Sequence, residues 1–430
     1  MNNNETKNIE WRKLDNTAKI FPIVSTKRFS NTYRMSVVLK QEINPDILQE
    51  ALVITLPSFK NFKVKLKQGF FWYYFETNNK IPKIEEEKNY PCKYIDGNKN
   101  NGFIFKVTYF KKRINLDVSH SITDGNGALN FLKAITYNYI KLLKKDEIKL
   151  ELNDYDDICY FANNEDSYIK YYNQNAIKNY NSKKAYQLKG TTLPLLAIGA
   201  TQGHINLEQL LKKCREKNVT ISEYLTALLT WSIFKENQNS FPSNKPIKIY
   251  IPVNLRNFFD STTNSNFFSF ITISSDFKTL PFENFDLFLK YVKNEFSNNL
   301  TKENLTKKIS SNVLTEKSLA VRLLPLFIKK VGGKIGYLEA IKHHTTTLSN
   351  LGKIEVLKEF EDYIDNFSFL VAPSRAEKIK CCVCSYKNDL IFSFSSILEE
   401  TYIERFFFRH LVSEGIDVTI ESNGVYNENM

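Results

Sequence analysis

The 430-residue sequence predicts an α+β protein of two lobes, with helix and sheet mixed throughout. Three observations lead there. A chain of this length exceeds one ordinary core, so two lobes of about 200 residues are expected. Strand-like alternation and helix-like spacing are interleaved from the start of the chain. Each half has its own strand-rich portion and its own long helices, with no short repeat. The lobes are placed at 1–180 and 181–430.

Along the chain, "RMSVVLK" reads as a strand and "NPDILQEALVITL" as a helix, and in "FKVKLKQGFFWYYFE" Phe62, Val64 and Leu66 alternate with lysines. "GFIFKVTYF" alternates Phe103, Phe105, Val107 and Tyr109, turns at "KKR" and resumes as "INLDVSH", an antiparallel hairpin. The spacing of Leu129, Phe131, Leu132, Ile135, Tyr139 and Leu142 predicts an amphipathic helix ending in the lysine-rich "KLLKKDEIKL". Residues 155–189, rich in Asn, Tyr and Lys, have weak periodicity and are expected to connect the lobes over the surface. "NLEQLLKKCREKN" and "TISEYLTALLTWSIFKEN" then read as helices, the second opened by a Thr220/Glu223 capping box. "IKIYIPVNLR" follows as a strand with Ile247, Ile249, Ile251 and Val253 on one face, and "NFFSFITIS" as another. A long helical region is expected from Phe282 to about Ala340. "KCCVCSYKNDLIFSFSS" reads as a hairpin, and "TYIERFFFRHLVSEGIDVTI" as a helix and a last strand.

Composition narrows the function. Hydrophobic residues at 42 %, with 33 Phe and 23 Tyr, suffice for two large cores and exclude a disordered chain. A net charge of +12 permits an anionic partner, but Lys and Asn are abundant everywhere and no stretch interleaves basic residues with aromatics, so nucleic-acid binding is not expected. The first residues are polar, without the apolar core of a secretory signal, and nothing approaches the roughly 18 apolar residues of a membrane span. Cys92, Cys159, Cys214, Cys381, Cys382 and Cys384 suggest no disulfide framework in so long a chain. A soluble cytoplasmic protein is the expectation.

One of the five histidines stands where the period changes, in "INLDVSHSITDGNGALNFL". Ile114, Leu116, Val118 and His120 share one strand face, and Asn115, Asp117 and Ser119 the other. A histidine ending a buried face, with Gly125 and Gly127 loosening the next turn, can project into a cavity. Asp124 falls at the helix start, where unpaired N–H groups and the helix dipole favour a carboxylate. If buried it wants a cation. The same residues also read as a satisfied core histidine followed by an ordinary aspartate cap.

His120, Asp124 and Gly125 form a His-x-x-x-Asp-Gly motif, and at this point the sequence resembles the CoA-dependent acyltransferase superfamily. That superfamily includes chloramphenicol acetyltransferase, the alcohol acetyltransferases, wax ester synthases and condensation domains. "IPVNLR" (Ile251 to Arg256) and "SNLGKI" (Ser349 to Ile354) resemble second-lobe signatures of its alcohol-acetyltransferase and condensation-like branch. The resemblance runs from about Trp11 to Ile420. It implies two chloramphenicol acetyltransferase-like lobes, each a mixed, mainly antiparallel sheet flanked by helices, with a channel between them, an acyl (acetyl) group carried by CoA as co-substrate, no tightly bound cofactor and no metal. His120 would be the general base that deprotonates an acceptor alcohol, and Arg256 the partner of Asp124. Gly125, Ser349 and Asn350 are candidate oxyanion donors or channel residues. Ser119 stands where condensation domains usually carry a second histidine, and the Asp-Phe-Gly-Trp-Gly signature of plant acyltransferases is absent. A free-standing alcohol O-acetyltransferase is therefore favoured over a carrier-protein-dependent condensation enzyme, with a non-catalytic binding protein as the remaining alternative.

Other patterns carry less. Cys381 and Cys384 lie in an apparent strand without a second ligand pair, which favours core over zinc. His343 and His344 lack the helical spacing of a metal site, and His204 and His410 lie in polar or terminal-helix contexts. "GFFWYYF" and "RFFFRH" read as core, the first also as a channel wall.

Overall fold

The computed structural model describes residues 10–27, 29–144, 165–176, 183–237, 245–276 and 284–424. It is a mixed α+β fold with two large sheets flanked by helices. The first sheet has the strand order Ile364–Val371, Thr32–Leu39, Arg113–Ser119, Phe105–Phe110, Glu85–Glu86. The second orders Phe268–Ser275, Ile247–Asn254, Thr346–Lys353, Ile379–Tyr386, Asp389–Ser396, Gly199–Asn206 and Val418–Ser422. A small third sheet joins Trp11–Lys13, Tyr73–Thr77 and Val64–Gln68. Most pairs are antiparallel. Thr346–Lys353 is parallel to both of its neighbours, and Glu85–Glu86 is parallel to Phe105–Phe110.

The helices follow the sequence pattern. Pro45–Thr55 is capped by Asn44, and Ile221–Glu236 opens on the full Thr220/Glu223 capping box. Gly125–Leu143 buries Phe131, Leu132 and Ile135 against the first sheet. The helical region reaching Ala340 divides into Phe285–Asn299, Lys302–Lys317, Leu319–Leu323 and Leu326–Ala340. Thr301 caps the second of these and Pro325 interrupts between the last two, since proline cannot donate to a preceding turn. Phe282, residues 155–164 and 177–182 and the end of "KLLKKDEIKL" lie outside the described residues; in the rest of the 155–189 connection Tyr168, Ala185, Tyr186 and Leu188 are buried, so that part does not simply run over the surface.

Several strands escape the sequence pattern, Trp11–Lys13, Glu85–Glu86 and Thr346–Lys353 among them, and two more are instructive. Gly199–Asn206 is polar and glycine-containing, yet it sits between two partners in the larger sheet, where Gly203 leaves room for the Phe408 ring. Ile364–Val371 leaves the second half of the chain and pairs antiparallel with Thr32–Leu39 in the first sheet. The adjacent hairpin strand divides its cysteines accordingly. Cys382 and Cys384 face the core of the first sheet and Cys381 that of the second, so Cys381 and Cys384 point to opposite sides and cannot share one ion.

Candidate active site

His120 directly follows the strand Arg113–Ser119 and continues its buried face of Ile114, Leu116 and Val118. Its N–H donates to the Asn31 carbonyl at 3.1 Å, and its carbonyl accepts from Asn266 Nδ2 at 3.1 Å. Both halves of the chain thus hold its backbone. Phe21 stacks on the ring with centroids 5.0 Å apart, Tyr33 tilts against it at 4.3 Å, and Phe268 lies at 6.1 Å. Nδ1 is buried and, among the described residues, lacks a hydrogen bond of ordinary geometry. Burial pushes the imidazole pKa from 6.5 down to about 4; the Asp124 carboxylate pulls it upward, and the Lys380 ammonium adds to the depression. The ring is therefore neutral at neutral pH.

Asp124 caps the helix Gly125–Leu143. Its Oδ1 accepts from the N–H groups of Asn126 and Gly127 at 3.1 and 3.2 Å. Its Oδ2 turns away from the helix and accepts from Arg256 Nη1 at 2.8 Å and the Phe267 N–H at 2.8 Å. Arg256 also clamps the loop that follows it: Nε and Nη2 donate to the Thr263 carbonyl at 3.0 and 2.8 Å, and Nη2 to that of Ser265 at 2.7 Å. Both side chains are buried, and these added bonds offset the desolvation that a buried ion pair otherwise suffers.

The turn between His120 and the helix is held from both sides. The Tyr33 hydroxyl donates to the carbonyls of Thr123 and Asp124 at 3.0 and 2.9 Å, and Thr123 Oγ1 donates to the Asn264 carbonyl at 2.6 Å. Close approach explains the glycines. A Cβ on Gly127 would collide with Thr123 Oγ1 and lie 2.7 Å from the Asn264 oxygen, and one on Gly125 would lie 2.8 Å from Leu351 Cδ2.

Ser349 and Asn350 sit in the strand Thr346–Lys353, in register with Cys382 and Val383. The Asn350 amide donates to Ser222 Oγ at 3.0 Å and its oxygen accepts from the Gly352 N–H at 2.8 Å. Its side chain therefore serves a turn and a helix start, and the neighbouring Leu351 is the residue that reaches Gly125.

Several residues at the site carried no sequence signal. Asp15 is buried and accepts from Ala18 and from both the backbone and side-chain N–H of Asn266. Burial raises its carboxyl to about pKa 7 despite those bonds. Lys380, from the other sheet, is paired with Glu377 at 3.2 Å, and Glu377 in turn accepts from Thr347 Oγ1 at 2.6 Å. Only "LDNTA", an Asp three residues before a small residue, hinted at a local turn around Asp15.

Two cavities border the 119–122 segment. One, of about 1100 Å³, is lined by Asp15, Ile122 and Ser265 together with Trp72, Tyr73 and Phe75 of "GFFWYYF". The other, of about 330 Å³, is lined by Ser119, Ser121, Pro22 and Thr32. The residues on either side of His120, Ser119 and Ser121, line the smaller cavity, and Ile122 lines the larger.

Solved structures share this arrangement of lobes. TRI101 of Fusarium sporotrichioides, complexed with coenzyme A and T-2, matches with a TM-score of 0.60 at 10 % identity, over 96 % of this chain and 100 % of that one. TRI3 trichothecene 15-O-acetyltransferase from the same fungus matches at 0.58 and 11 %, over 96 % of each chain. The starter condensation domain of rhizomide synthetase RzmA, a mutant in complex with C8-CoA, matches at 0.56 and 12 %, over 91 % and 93 %. The chain has the fold of CoA-dependent acyltransferases and condensation domains. No protein-family model and no curated protein matches the sequence. Among the described residues, no helix is long and apolar enough to cross a membrane.

Proposed function

We propose that this protein transfers an acyl group, acetyl in the simplest case, from coenzyme A to the hydroxyl of a small acceptor. The observation that carries the reading is a neutral, buried His120 imidazole whose backbone is held by partners from both halves of the chain, beside Ser119 and Ser121 of one cavity and Ile122 of another. His120 takes the acceptor proton as the hydroxyl oxygen attacks the thioester carbonyl. The tetrahedral intermediate then expels the CoA thiolate, and the imidazolium returns the proton to that sulfur. No acyl-enzyme forms. Asp124 and Arg256 position the turn without touching the reacting atoms.

The developing oxyanion needs a donor. The Gly125 N–H is the first of the helix and does not donate to the Asp124 carboxylate, which accepts from Asn126 and Gly127. It is our first candidate, ahead of Ser349 and Asn350. The condensation-domain relatives support a second reading, in which a carrier protein rather than free CoA presents the acyl group.

The test is free-thiol release by the purified protein from acetyl-CoA with a panel of alcohols and amines, beside His120→Ala. We expect release that the variant loses by about 10²- to 10⁴-fold. Equal release by both would refute the role of His120. Activity only with an acylated carrier would favour the second reading.

A further inference from the structure

A surface helix normally turns its apolar stripe toward the core. Here the reverse holds over two consecutive helices. Leu319, Leu323, Phe327, Val331, Ile335 and Leu338, spaced four, four, four, four and three residues apart, are 54–71 % exposed. The buried side chains of Leu326–Ala340 are only Leu326 and Lys329. The stripe continues onto the tip of the neighbouring hairpin, where Phe70 is 70 % exposed. Backbone bonds join the two: the Leu326 N–H donates to the Phe70 carbonyl at 2.8 Å and Lys329 Nζ to that of Phe71 at 3.0 Å.

Charge identifies the occupant. Between Leu319 and Lys342 the chain carries Arg322, Lys330, Lys334 and Lys342 at the surface against Glu339 alone, while Lys329 is buried beneath the helix. Glu339 is already neutralised by Lys184 at 2.6 Å and Lys342 at 3.0 Å. A second copy of the chain laid on this face would bring cation against cation. A surface that is apolar within and anionic at its headgroups complements both the stripe and its rim.

We propose that this face docks on an anionic lipid bilayer, with the two helices lying in the plane of the interface. Phe327, Val331 and Ile335 enter the acyl boundary while Arg322 and Lys334 meet the headgroups. The inner side of the same helix, through Gly333 against Ile23, rests on the turn Phe21–Val24 whose Phe21 stacks on His120. The docked face is thus one short helix away from the imidazole. The inference stands whether or not acyl transfer is the reaction.

The test is co-sedimentation of the full chain with vesicles of phosphatidylcholine containing phosphatidylglycerol and with phosphatidylcholine alone, together with sedimentation velocity in the absence of lipid. We expect binding to the anionic vesicles, weakened by salt, and loss of roughly tenfold or more in the exposed-face variant Val331→Asp/Ile335→Asp. Lys334→Glu should weaken binding to the anionic vesicles alone. Circular dichroism checks that both variants remain folded. Failure of the wild type to bind, or undiminished binding by the double aspartate variant, would overturn the proposal. So would a dimer that the double variant dissociates, because a second copy would then cover the face.

Discussion

Burial and the Lys380 ammonium both push His120 down to about pKa 4, and that fixes a pH profile. Between pH 4 and the ordinary value near 6.5, the unfolded histidine binds a proton that the native one refuses. This group therefore favours the folded state fully above pH 6.5, and that contribution is lost as pH falls through 4. If His120 is the base, kcat/KM for thiol release should hold its level down to about pH 5 and fall with an acid limb near 4. A limb at 6.5 would mean that the imidazole is solvated in the working enzyme or that another group titrates. His120 and Asp124 were legible in the sequence because a strand face and a helix cap are local patterns. Asp15 and Asn266 meet across 251 residues, and no periodicity carries that contact.

At the scale of elements, the helix start is stabilised by an ion pair and by missing side chains. Arg256→Ala should destabilise the fold by about 3–5 kcal/mol in urea unfolding, because Asp124 would remain buried without its cation. Asp124→Asn/Arg256→Gln should cost less than the two single changes added together, the sign of a direct interaction. Glycines separate two physical roles. Gly127→Ala should destabilise by about 1–3 kcal/mol, since neither Thr123 nor the Asn264 backbone can retreat. Gly336→Ala, inside the helix Leu326–Ala340 with no atom near the added methyl, should instead stabilise by up to about 1 kcal/mol. The sequence singled out Gly125 and Gly127 beside Asp124, but packing and not local conformation separates Gly127 from Gly336. It likewise separated Asn115 and Asp117 from the apolar face without revealing that both are buried. There Asn115 meets Ser36, and Asp117 receives a bidentate Arg34.

At the scale of the molecule, the two halves are joined through a shared sheet. Ile364–Val371 covers an edge of the first sheet, and Ile364, Phe367 and Phe369 enter its core. Without that strand, Thr32–Leu39 would expose a row of unpaired backbone groups, and the strand that carries His120 would lose its outer support. The motifs showed two lobes, but the crossing was hidden because "IDNFSFLV" contains a polar break and its partner lies more than 300 residues away. The first lobe thus depends on the last quarter of the chain for an edge, while Arg256 fastens the second lobe to the turn after His120. We therefore predict a single cooperative transition in calorimetry of the full chain, with van't Hoff and calorimetric enthalpies in agreement despite its size. Arg256→Ala should move that one transition to lower temperature. Two separable transitions, only one of them shifted by the substitution, would show that the crossing strand does not bind the halves into one folding unit.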